Sequence, residues 1–328
     1  MTTPISAGPS ALLARLGLSR EQLGMATVAK LAPLLALIIL VIIGAIVSPT
    51  FLSFGNIRSM LLTSAILMIF AVGQTFVIAT GGIDLSVASI AQLSGVSLGI
   101  VVAGGLSPEL GMLGALVIGT AAGALNGLIV SKLKITDFIV TLGTFSAYSG
   151  LTLLLSDAKP QIVNSSFLIA ISTRGFGLVS FLLLIAIVVA VVAHFVMFRT
   201  PFGTHVLAVG GNKKAADALG ISFVRVKVGV YAISGLLAAV AGILLVARLG
   251  AAEPTAGSAY QLTSIAAAVL GGVSLFGGKG SIIGPLIGAL VLTGVVNLLT
   301  ITGVPVYYQP IAVGAVVVLA AYLRRYER

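Results

Sequence analysis

One carboxylate lies deep between apolar runs in this sequence. Asp84 follows the glycine pair at 81–82, and the stretch from Val72 to Leu98 contains no other charged residue. A charge is costly to bury in so apolar a chain, and such residues often mark a transport pathway. Two interpretations stay open: Asp84 and Ser86 cap the start of the following helix, or Asp84 faces a pathway as a solute contact or gate. Proton coupling is a weaker alternative, because the neighbouring runs supply no ionisable partner.

Polar residues of this stretch recur in the second half of the chain. Residues 84–98 align without a gap with residues 261–275, and residues 123–128 match residues 294–299. Because polar residues are scarce here, these matches favour a duplicated unit over chance similarity between stretches rich in Gly, Ala, Leu and Val. Duplicated membrane units with interrupted helices place a transport pathway between the repeats. The matched polar positions are Asp84 with Gln261, Ser86 with Thr263, Ser97 with Ser274, and Asn126 with Asn297.

The composition excludes a water-soluble globule. Hydrophobic residues make up 59% of the 328 residues, charged residues make up 8%, and the mean hydropathy is +1.21, so too little polar surface remains to cover a protein of this size. The apolar runs, about 17 to 25 residues each, are long enough for helices to cross a bilayer. We predict an all-α integral membrane protein with about ten transmembrane helices. The predicted spans are 31–47, 57–80, 84–104, 109–130, 136–156, 178–198, 225–247, 259–276, 281–300 and 307–323.

The basic residues predict the orientation of the chain. With the segment 1–30 in the cytoplasm, fourteen of the 18 Lys and Arg residues fall on the cytoplasmic side, as the positive-inside rule requires. Both termini, including the tail 324–328, are therefore expected in the cytoplasm. Because five spans is an odd number, the halves 31–156 and 178–323 enter the membrane in opposite senses and form inverted repeats with broken helices at corresponding places.

Several function classes are excluded by what the sequence lacks. It contains no cysteine and two histidines, so neither a thiolate site nor a histidine cluster is available, and no metal or cofactor is predicted. No phosphate-binding GxxxxGK[ST] loop and no grouping of nucleophile, base and orienting residue is present, which argues against an enzyme. The net charge of +10 lies in short connections rather than in one patch, so nucleic acid is not a predicted partner.

The longest cytoplasmic connection, 199–227, contains a short helix with clear boundaries. Asn212 is a suitable N-cap, residues 213–219 favour a helix, and Gly220 is a suitable stop. We expect Ala215, Ala216 and Leu219 to form a small apolar side that another protein contacts. The alternative is a surface helix that only joins two spans.

A second carboxylate, Asp137, follows Lys134 by three residues at a predicted helix start. We expect Asp137 to act as a helix-terminal cap or as the local partner of Lys134, rather than as part of a functional site. Lys227 is assigned to the end of the cytoplasmic connection.

Three separated motifs resemble one family. GGIDLSVASIAQLSG (81–95), GGNKKAADALGI (210–221) and LGGVSLFGGKGSIIGPLIGAL (270–290) are similar to the permease subunit of ribose-type monosaccharide ABC importers, in a group that includes branched-chain amino acid permeases. The resemblance extends from about Phe51 to Tyr322. Ala88 stands where the family motif has glycine, which affects close helix packing at most.

The resemblance implies a type II ABC importer-like permease, homodimeric or paired, in the bacterial inner membrane. It implies a cytoplasmic ABC ATPase subunit, and a periplasmic or lipid-anchored substrate-binding protein that delivers the solute. ATP binding would move the short cytoplasmic helix, called the coupling helix in this family, and switch the membrane bundle between outward-open and inward-open states. The expected coupling residues are Gly211, Asn212, Ala215, Ala216, Leu219 and Gly220.

A monosaccharide requires many weak hydrogen-bond partners and no strong charge in the pathway, because tight binding would slow its release. Each polar candidate is equally well explained as a hydrogen bond between helices. The predicted pathway or gate residues are Asp84, Ser86, Gln92, Asn126, Thr144, Gln261, Thr263, Ser274 and Asn297.

Three other functions stay open at this point. A branched-chain amino acid or nucleoside permease would have the same architecture. An ion-coupled secondary transporter would move solute without an ATPase, and a membrane scaffold or receptor would leave the internal repeat unexplained.

Overall fold

The computed structural model describes residues 20–324, so the predictions for residues 1–19 and 325–328 lie outside the described residues. The described part forms thirteen α-helices, four two-residue strands and one 3-10 helix, Val306–Tyr308. The helices are α1 (Arg20–Val47), α2 (Phe54–Ala79), α3 (Val87–Ala103), α4 (Pro108–Leu133), α5 (Asp137–Ser156), α6 (Ser166–Thr173), α7 (Phe181–Arg199), α8 (Pro201–Gly211), α9 (Lys213–Ala218), α10 (Phe223–Leu249), α11 (Tyr260–Leu270), α12 (Ile283–Ile301) and α13 (Gln309–Arg324). The strands are β1 (Gln161–Ile162), β2 (Gly175–Phe176), β3 (Val179–Ser180) and β4 (Ala251–Ala252).

Six of these helices, α2, α4, α5, α7, α10 and α12, are long and apolar enough to cross a membrane. Four shorter apolar helical stretches accompany them: Leu31–Val47, Val87–Ala103, Tyr260–Leu270 and Val306–Val318. The prediction of an all-α membrane protein is therefore confirmed, with six helices in the described residues that are able to cross a membrane.

Helices α2 and α10 form the centre of the bundle. In their most apolar windows, 83% of the residues of α2 and 78% of those of α10 are buried, against 17% for α5. The two central helices contact each other, and each is surrounded by further helices. Residues positioned by α2 and α10 are therefore shielded from lipid and water.

Glycines let α4 and α10 approach closely. Gly119, Gly123 and Gly127 recur at every fourth residue of α4. A methyl group on Gly123 would overlap the carbonyl oxygen of Tyr231, and one on Gly235 would overlap the carbonyl oxygen of Gly119. Small residues at this spacing are typical of helix contacts in membranes, where close packing drives association.

The two halves of the chain pack in a similar way. In the first half α3 packs on α4, and both contact α10 of the second half. In the second half α11 packs on α12, and both contact α2 of the first half. Each half thus contributes one central helix that is enclosed by a helix pair from the other half.

Helix α11 is shorter than predicted. The predicted span 259–276 ends in the structure at Leu270, because Gly272 has a φ of +96°, a left-handed conformation that suits glycine and ends a helix. Residues 271–282, here called the second break, therefore form a loop. Residues 80–86, between α2 and α3, are the first break.

Short elements lie at both ends of the bundle and have no counterpart among the predicted spans. Helix α6 and the paired strands β2 and β3 precede α7, and β1 pairs antiparallel with β4. Helices α8 and α9 follow α7. Because α7 is one of the spanning candidates, these two groups lie at opposite ends of it.

Candidate functional site

Asp84 lies at the centre of a buried hydrogen-bond network in the first break. Its side chain is fully buried. Oδ1 accepts hydrogen bonds from the backbone N–H of Ser86 at 2.9 Å and from the Ser86 hydroxyl at 2.6 Å. Oδ2 accepts one from the hydroxyl of Ser234 on α10 at 2.8 Å. Buried carboxylates are tolerated where several donors replace the lost water.

The network continues into α2, α4 and α5. Gln74 on α2 donates from Nε2 to the backbone oxygen of Asp84 at 2.6 Å, and Asn126 on α4 donates from Nδ2 to the Ser86 hydroxyl at 2.8 Å. The hydroxyl of Tyr148 on α5 donates to the carbonyl oxygen of Ala122 at 3.1 Å and lies 3.5 Å from Asn126 Oδ1. The first break thus joins the central helices to their neighbours.

This geometry bears on the two interpretations of Asp84. Helix α3 begins at Val87, and the Ser86 side chain makes no cap bond to it. Asp84 instead accepts the otherwise unpaired N–H of Ser86, which supports the capping interpretation. Contact with a solute would require a conformation in which Asp84 becomes exposed.

A buried ion pair lies beside this network. Lys227 Nζ is 2.6 Å from Asp137 Oδ1, with 3% of the lysine side chain and 19% of the aspartate side chain exposed. Tyr231 donates its hydroxyl to the same oxygen at 2.7 Å. The predicted local pair of Asp137 with Lys134 is wrong, because Asp137 pairs with Lys227 instead. Helix α10 starts at Phe223, so Lys227 lies within the bundle and not at the end of the connection 199–227.

The ion pair contacts the backbone of the first break. A methyl group on Gly82 would lie 2.8 Å from Lys227 Nζ and even closer to Asp137. Thr141 donates its hydroxyl to the carbonyl oxygen of Asp137 at 2.8 Å, and Thr141 Oγ1 lies 3.2 Å from the carbonyl oxygen of Ile83. The Tyr231 hydroxyl lies 3.4 Å from the same Ile83 oxygen. The break is therefore held on one side by the Asp84 network and on the other by the ion pair.

The three motifs that carry the family resemblance meet at a junction of glycines. Gly278 in the second break donates its N–H to the carbonyl oxygen of Ala79 at 2.9 Å. A methyl group on Gly210 of α8 would lie 2.6 Å from the nitrogen of Gly278, and one on Gly277 would lie 2.8 Å from the nitrogen of Gly81. Only residues without a side chain fit such close backbone contacts.

The short helix predicted at residues 213–219 forms as α9 (Lys213–Ala218), with one change in its exposed side. Asn212 Oδ1 accepts a hydrogen bond from the N–H of Ala215 at 3.1 Å, and Gly220 has a φ of +78°, so the predicted cap and stop are confirmed. Leu219 is 80% exposed, but Ala216 is 2% exposed. Ala216 faces inward because α9 packs against α8 and α10, so it cannot belong to the exposed apolar side.

Of the predicted pathway residues, the structure joins Asp84, Ser86 and Asn126. Gln92 on α3 lies outside this network and donates from Nε2 to the hydroxyl of Ser258 at 2.8 Å. Thr144 donates to the carbonyl oxygen of Thr141 at 3.4 Å.

The predicted residues of the second half occupy separate places. Gln261 and Thr263 are half-buried on α11, and Gln261 is not among the hydrogen-bond partners found for Asp84. The Ser274 hydroxyl accepts a hydrogen bond from the N–H of Phe276 at 3.3 Å. Asn297 and Asn56 exchange two hydrogen bonds of 2.8 and 2.9 Å between α12 and α2.

Sequence reasoning missed three residues of the site on α10, namely Lys227, Tyr231 and Ser234. They are spaced by four and three residues, so they lie on one face of the helix. A polar stripe at this spacing in an apolar helix was the available signal.

Comparisons with known proteins agree with the motifs. The family model described as "Branched-chain amino acid transport system / permease component" matches residues 56–321. The ribose import permease protein RbsC of Bacillus subtilis (strain 168) is 43% identical over 90% of this chain and 92% of its own length. The D-allose transport system permease protein AlsC of Escherichia coli (strain K12) is 36% identical over 88% and 89%. The L-arabinose ABC transporter permease protein AraH of Azospirillum brasilense is 35% identical over 85% and 83%.

No solved structure matches the chain. The family model covers most of the sequence, and the relatives align over most of their own lengths. The chain therefore belongs to this family of permeases, which are the transport components of ABC importers rather than enzymes, and it is a multi-pass protein of the inner membrane.

Proposed function

We propose that this chain is the membrane subunit of an ATP-driven importer that carries a monosaccharide into the cytoplasm by alternating access. The observation that carries the proposal is the similarity, over nearly the whole chain, to permeases named for the import of ribose, D-allose and L-arabinose. These sugars share several hydroxyl groups and no charge. Uncharged hydroxyl and amide side chains in the pathway suit such a solute better than fixed charges do.

The proposed architecture is a pair of inverted five-helix repeats, residues 31–156 and 178–323. Its support is the equivalent placement of α2 and α10, each the second long helix of its half and each central in the bundle. The repeated packing of α3 with α4 and of α11 with α12 agrees with it. In inverted repeats the solute pathway lies at the interface between halves, which here contains both breaks.

The proposed partners are a second permease copy or paired permease, a cytoplasmic ABC ATPase subunit and a periplasmic or lipid-anchored substrate-binding protein. Helix α9 suits an ATPase contact, because Leu219 is exposed at its end and a cavity of about 270 Å³ opens beside it. Phe202, His205 and Arg225 line this cavity, so it combines an apolar wall with basic groups.

Both termini are proposed to be cytoplasmic, which places α6 and the paired strands on the outer side, where a binding protein would dock.

The burial of Asp84 supports a gate role for the first break. Asp84, Ser86 and Asn126 are fully buried and bonded to one another or to the backbone, so a solute reaches them only after the surrounding helices move. We assign Asp84, Ser86 and Asn126 to the gate. The pairing of Asn297 with Asn56 supports the interhelical alternative for Asn297.

A branched-chain amino acid permease is the second candidate, because the matching family model bears that description. Recognition of an amino acid carboxylate in the pathway would require a free basic group. Among the described residues of the bundle interior, the buried cation Lys227 is already paired with Asp137, which favours an uncharged solute.

Uptake by the reconstituted complex tests the proposal. The chain is co-purified with a candidate ABC ATPase and a candidate substrate-binding protein from the same source, placed in proteoliposomes, and supplied with labelled ribose, allose, arabinose, fructose, leucine or adenosine. We expect ATP-dependent uptake of a monosaccharide by the complete complex and none by this chain alone. Uptake of leucine or adenosine but of no sugar, or uphill transport by the lone chain in an ion gradient, would contradict the proposal.

A further inference from the structure

A buried ion pair lies between the cytoplasmic helix α9 and the first break, and the pathway predictions assign it no role. We propose that Asp137 and Lys227 are positioning residues that transmit movement of α9 to the first break during transport. The proposal rests on the proposed function, since it assumes that an ATPase moves α9.

The pair is in direct contact with the break. Asp137 and Lys227 together occupy the space where a side chain on Gly82 would lie. Tyr231, which donates to Asp137 at 2.7 Å, also reaches the carbonyl oxygen of Ile83 at 3.4 Å. Separation of the pair therefore removes the support on one side of residues 82 and 83, directly before the buried Asp84.

The same pair is connected to the cytoplasmic helix. Lys213 on α9 places Nζ 3.6 Å from the centre of the Phe223 ring, and Phe223 is the first residue of α10. Lys227 follows one helical turn later, with Nζ 5.8 Å from the same ring. Because a helix turn is rigid, displacement of α9 displaces the start of α10 and with it Lys227.

Stability alone gives no reason for charges at this place. A largely buried ion pair loses hydration, and well-packed apolar residues of similar volume often stabilise a protein equally well or better. A charge pair differs from an apolar contact in having one preferred geometry, and it weakens when separation admits water. These properties suit a contact that must be either made or broken.

The test is the ratio of ATP hydrolysed to sugar imported by the complete complex in proteoliposomes. The main variant is the double substitution Asp137→Asn with Lys227→Gln, which removes both charges and so leaves neither buried without a partner. The reversed pair, Asp137→Lys with Lys227→Asp, restores an attraction between the same positions. The control is Asp157→Asn with Lys159→Gln, which neutralises an ion pair of 2.7 Å whose side chains are 85% and 73% exposed.

We expect the neutral double variant to consume at least about fivefold more ATP per imported sugar than the wild-type complex does, which is the lower end of typical coupling between two sites. Its thermal midpoint and its co-purification with the ATPase should stay near wild type. The reversed pair should recover most of the ratio, and the control should match wild type. An unchanged ratio in the neutral variant would overturn the proposal. The proposal would also be overturned if the ratio of ATP to sugar rose only in preparations that had lost stability. It would be overturned as well if a stable reversed pair showed the same ratio as the neutral variant.

The proposed function and this proposal fail in different ways. If the wild-type complex hydrolyses ATP but imports none of the sugars, the proposed function is wrong. Stimulation of ATP hydrolysis by the binding protein then replaces the ratio as the readout in the same preparations. We expect that stimulation to be lost in the neutral variant, and its retention would overturn the positioning role.

Discussion

The backbone N–H of Gly278 donates a hydrogen bond of 2.9 Å to the carbonyl oxygen of Ala79 and so joins the second break to the end of α2. Gly210 of α8 packs onto both residues. One point of contact therefore links the two halves of the chain and the segment that leads into α9. A side chain at this point would separate all three.

Substitution of Gly210 by alanine tests this contact. The added methyl group would overlap the carbonyl oxygen of Ala79, and such overpacking lowers the free energy of unfolding by about 1–3 kcal/mol. We expect a lower thermal midpoint in detergent and reduced sugar uptake. Gly114→Ala is the control, because nothing lies within 4 Å of a methyl group there. Equal midpoints for the two variants would show that the junction tolerates a side chain.

Replacement of Asp84 separates a need for hydrogen bonds from a need for charge. Asparagine keeps an oxygen for the two Ser86 donors and adds an amide group that donates to the Ser234 hydroxyl. Alanine leaves these buried groups unpaired, at about 1–3 kcal/mol each. We expect near-normal uptake and stability for Asp84→Asn and a large loss of both for Asp84→Ala. If both variants are stable and neither transports, a charge requirement replaces the capping role.

The apolar helices and the short helix α9 were predictable from the sequence, because both depend on neighbouring residues. Run length and apolar content give membrane helices, and Asn212 and Gly220 bound α9 by local hydrogen bonding and backbone conformation. Ser86 and Asn126 were both identified as candidates because each has a match in the second half of the chain, but their contact was not predicted. The end of α11 at Leu270 was missed because apolar residues continue beyond the glycines that stop the helix.

The ion pair and the inward face of α9 were not predictable from local patterns. Asp137 and Lys227 are 90 residues apart, and their contact depends on how α5 and α10 are rotated against each other. Ala216 and Ala215 are equivalent in sequence, and only the packing of α9 on α8 and α10 decides which of them is buried.

Leu219 directly follows α9 and is the residue that we propose contacts the ATPase. It is 80% exposed, and burial of a large apolar side chain is a frequent source of binding energy. We expect Leu219→Lys to weaken ATPase association at least tenfold, about 1.4 kcal/mol, measured by co-purification and titration in detergent. Ile162→Lys is the control, because Ile162 is 79% exposed at the other end of α7. Equal association of both variants with the ATPase would contradict the coupling role of α9.

Asn297 and Asn56 permit a test of pathway against interhelical contact. Their two reciprocal hydrogen bonds join α12 to α2, and a second bond from Asn56 reaches the carbonyl oxygen of Phe51 at 2.8 Å. Replacement of either asparagine by leucine leaves the other without its partner, whereas replacement of both removes the mismatch. We expect each single variant to lose about 1 kcal/mol of stability, with part of that loss recovered in the double variant.

Transport kinetics of the same variants decide the role of Asn297. An interhelical contact predicts that the double variant imports sugar with the wild-type KM, because no group that touches the solute has changed. A pathway contact predicts that KM rises in Asn297→Leu and in the double variant alike, whatever happens to stability. We expect the first result, because both amide groups of the pair are already engaged with each other.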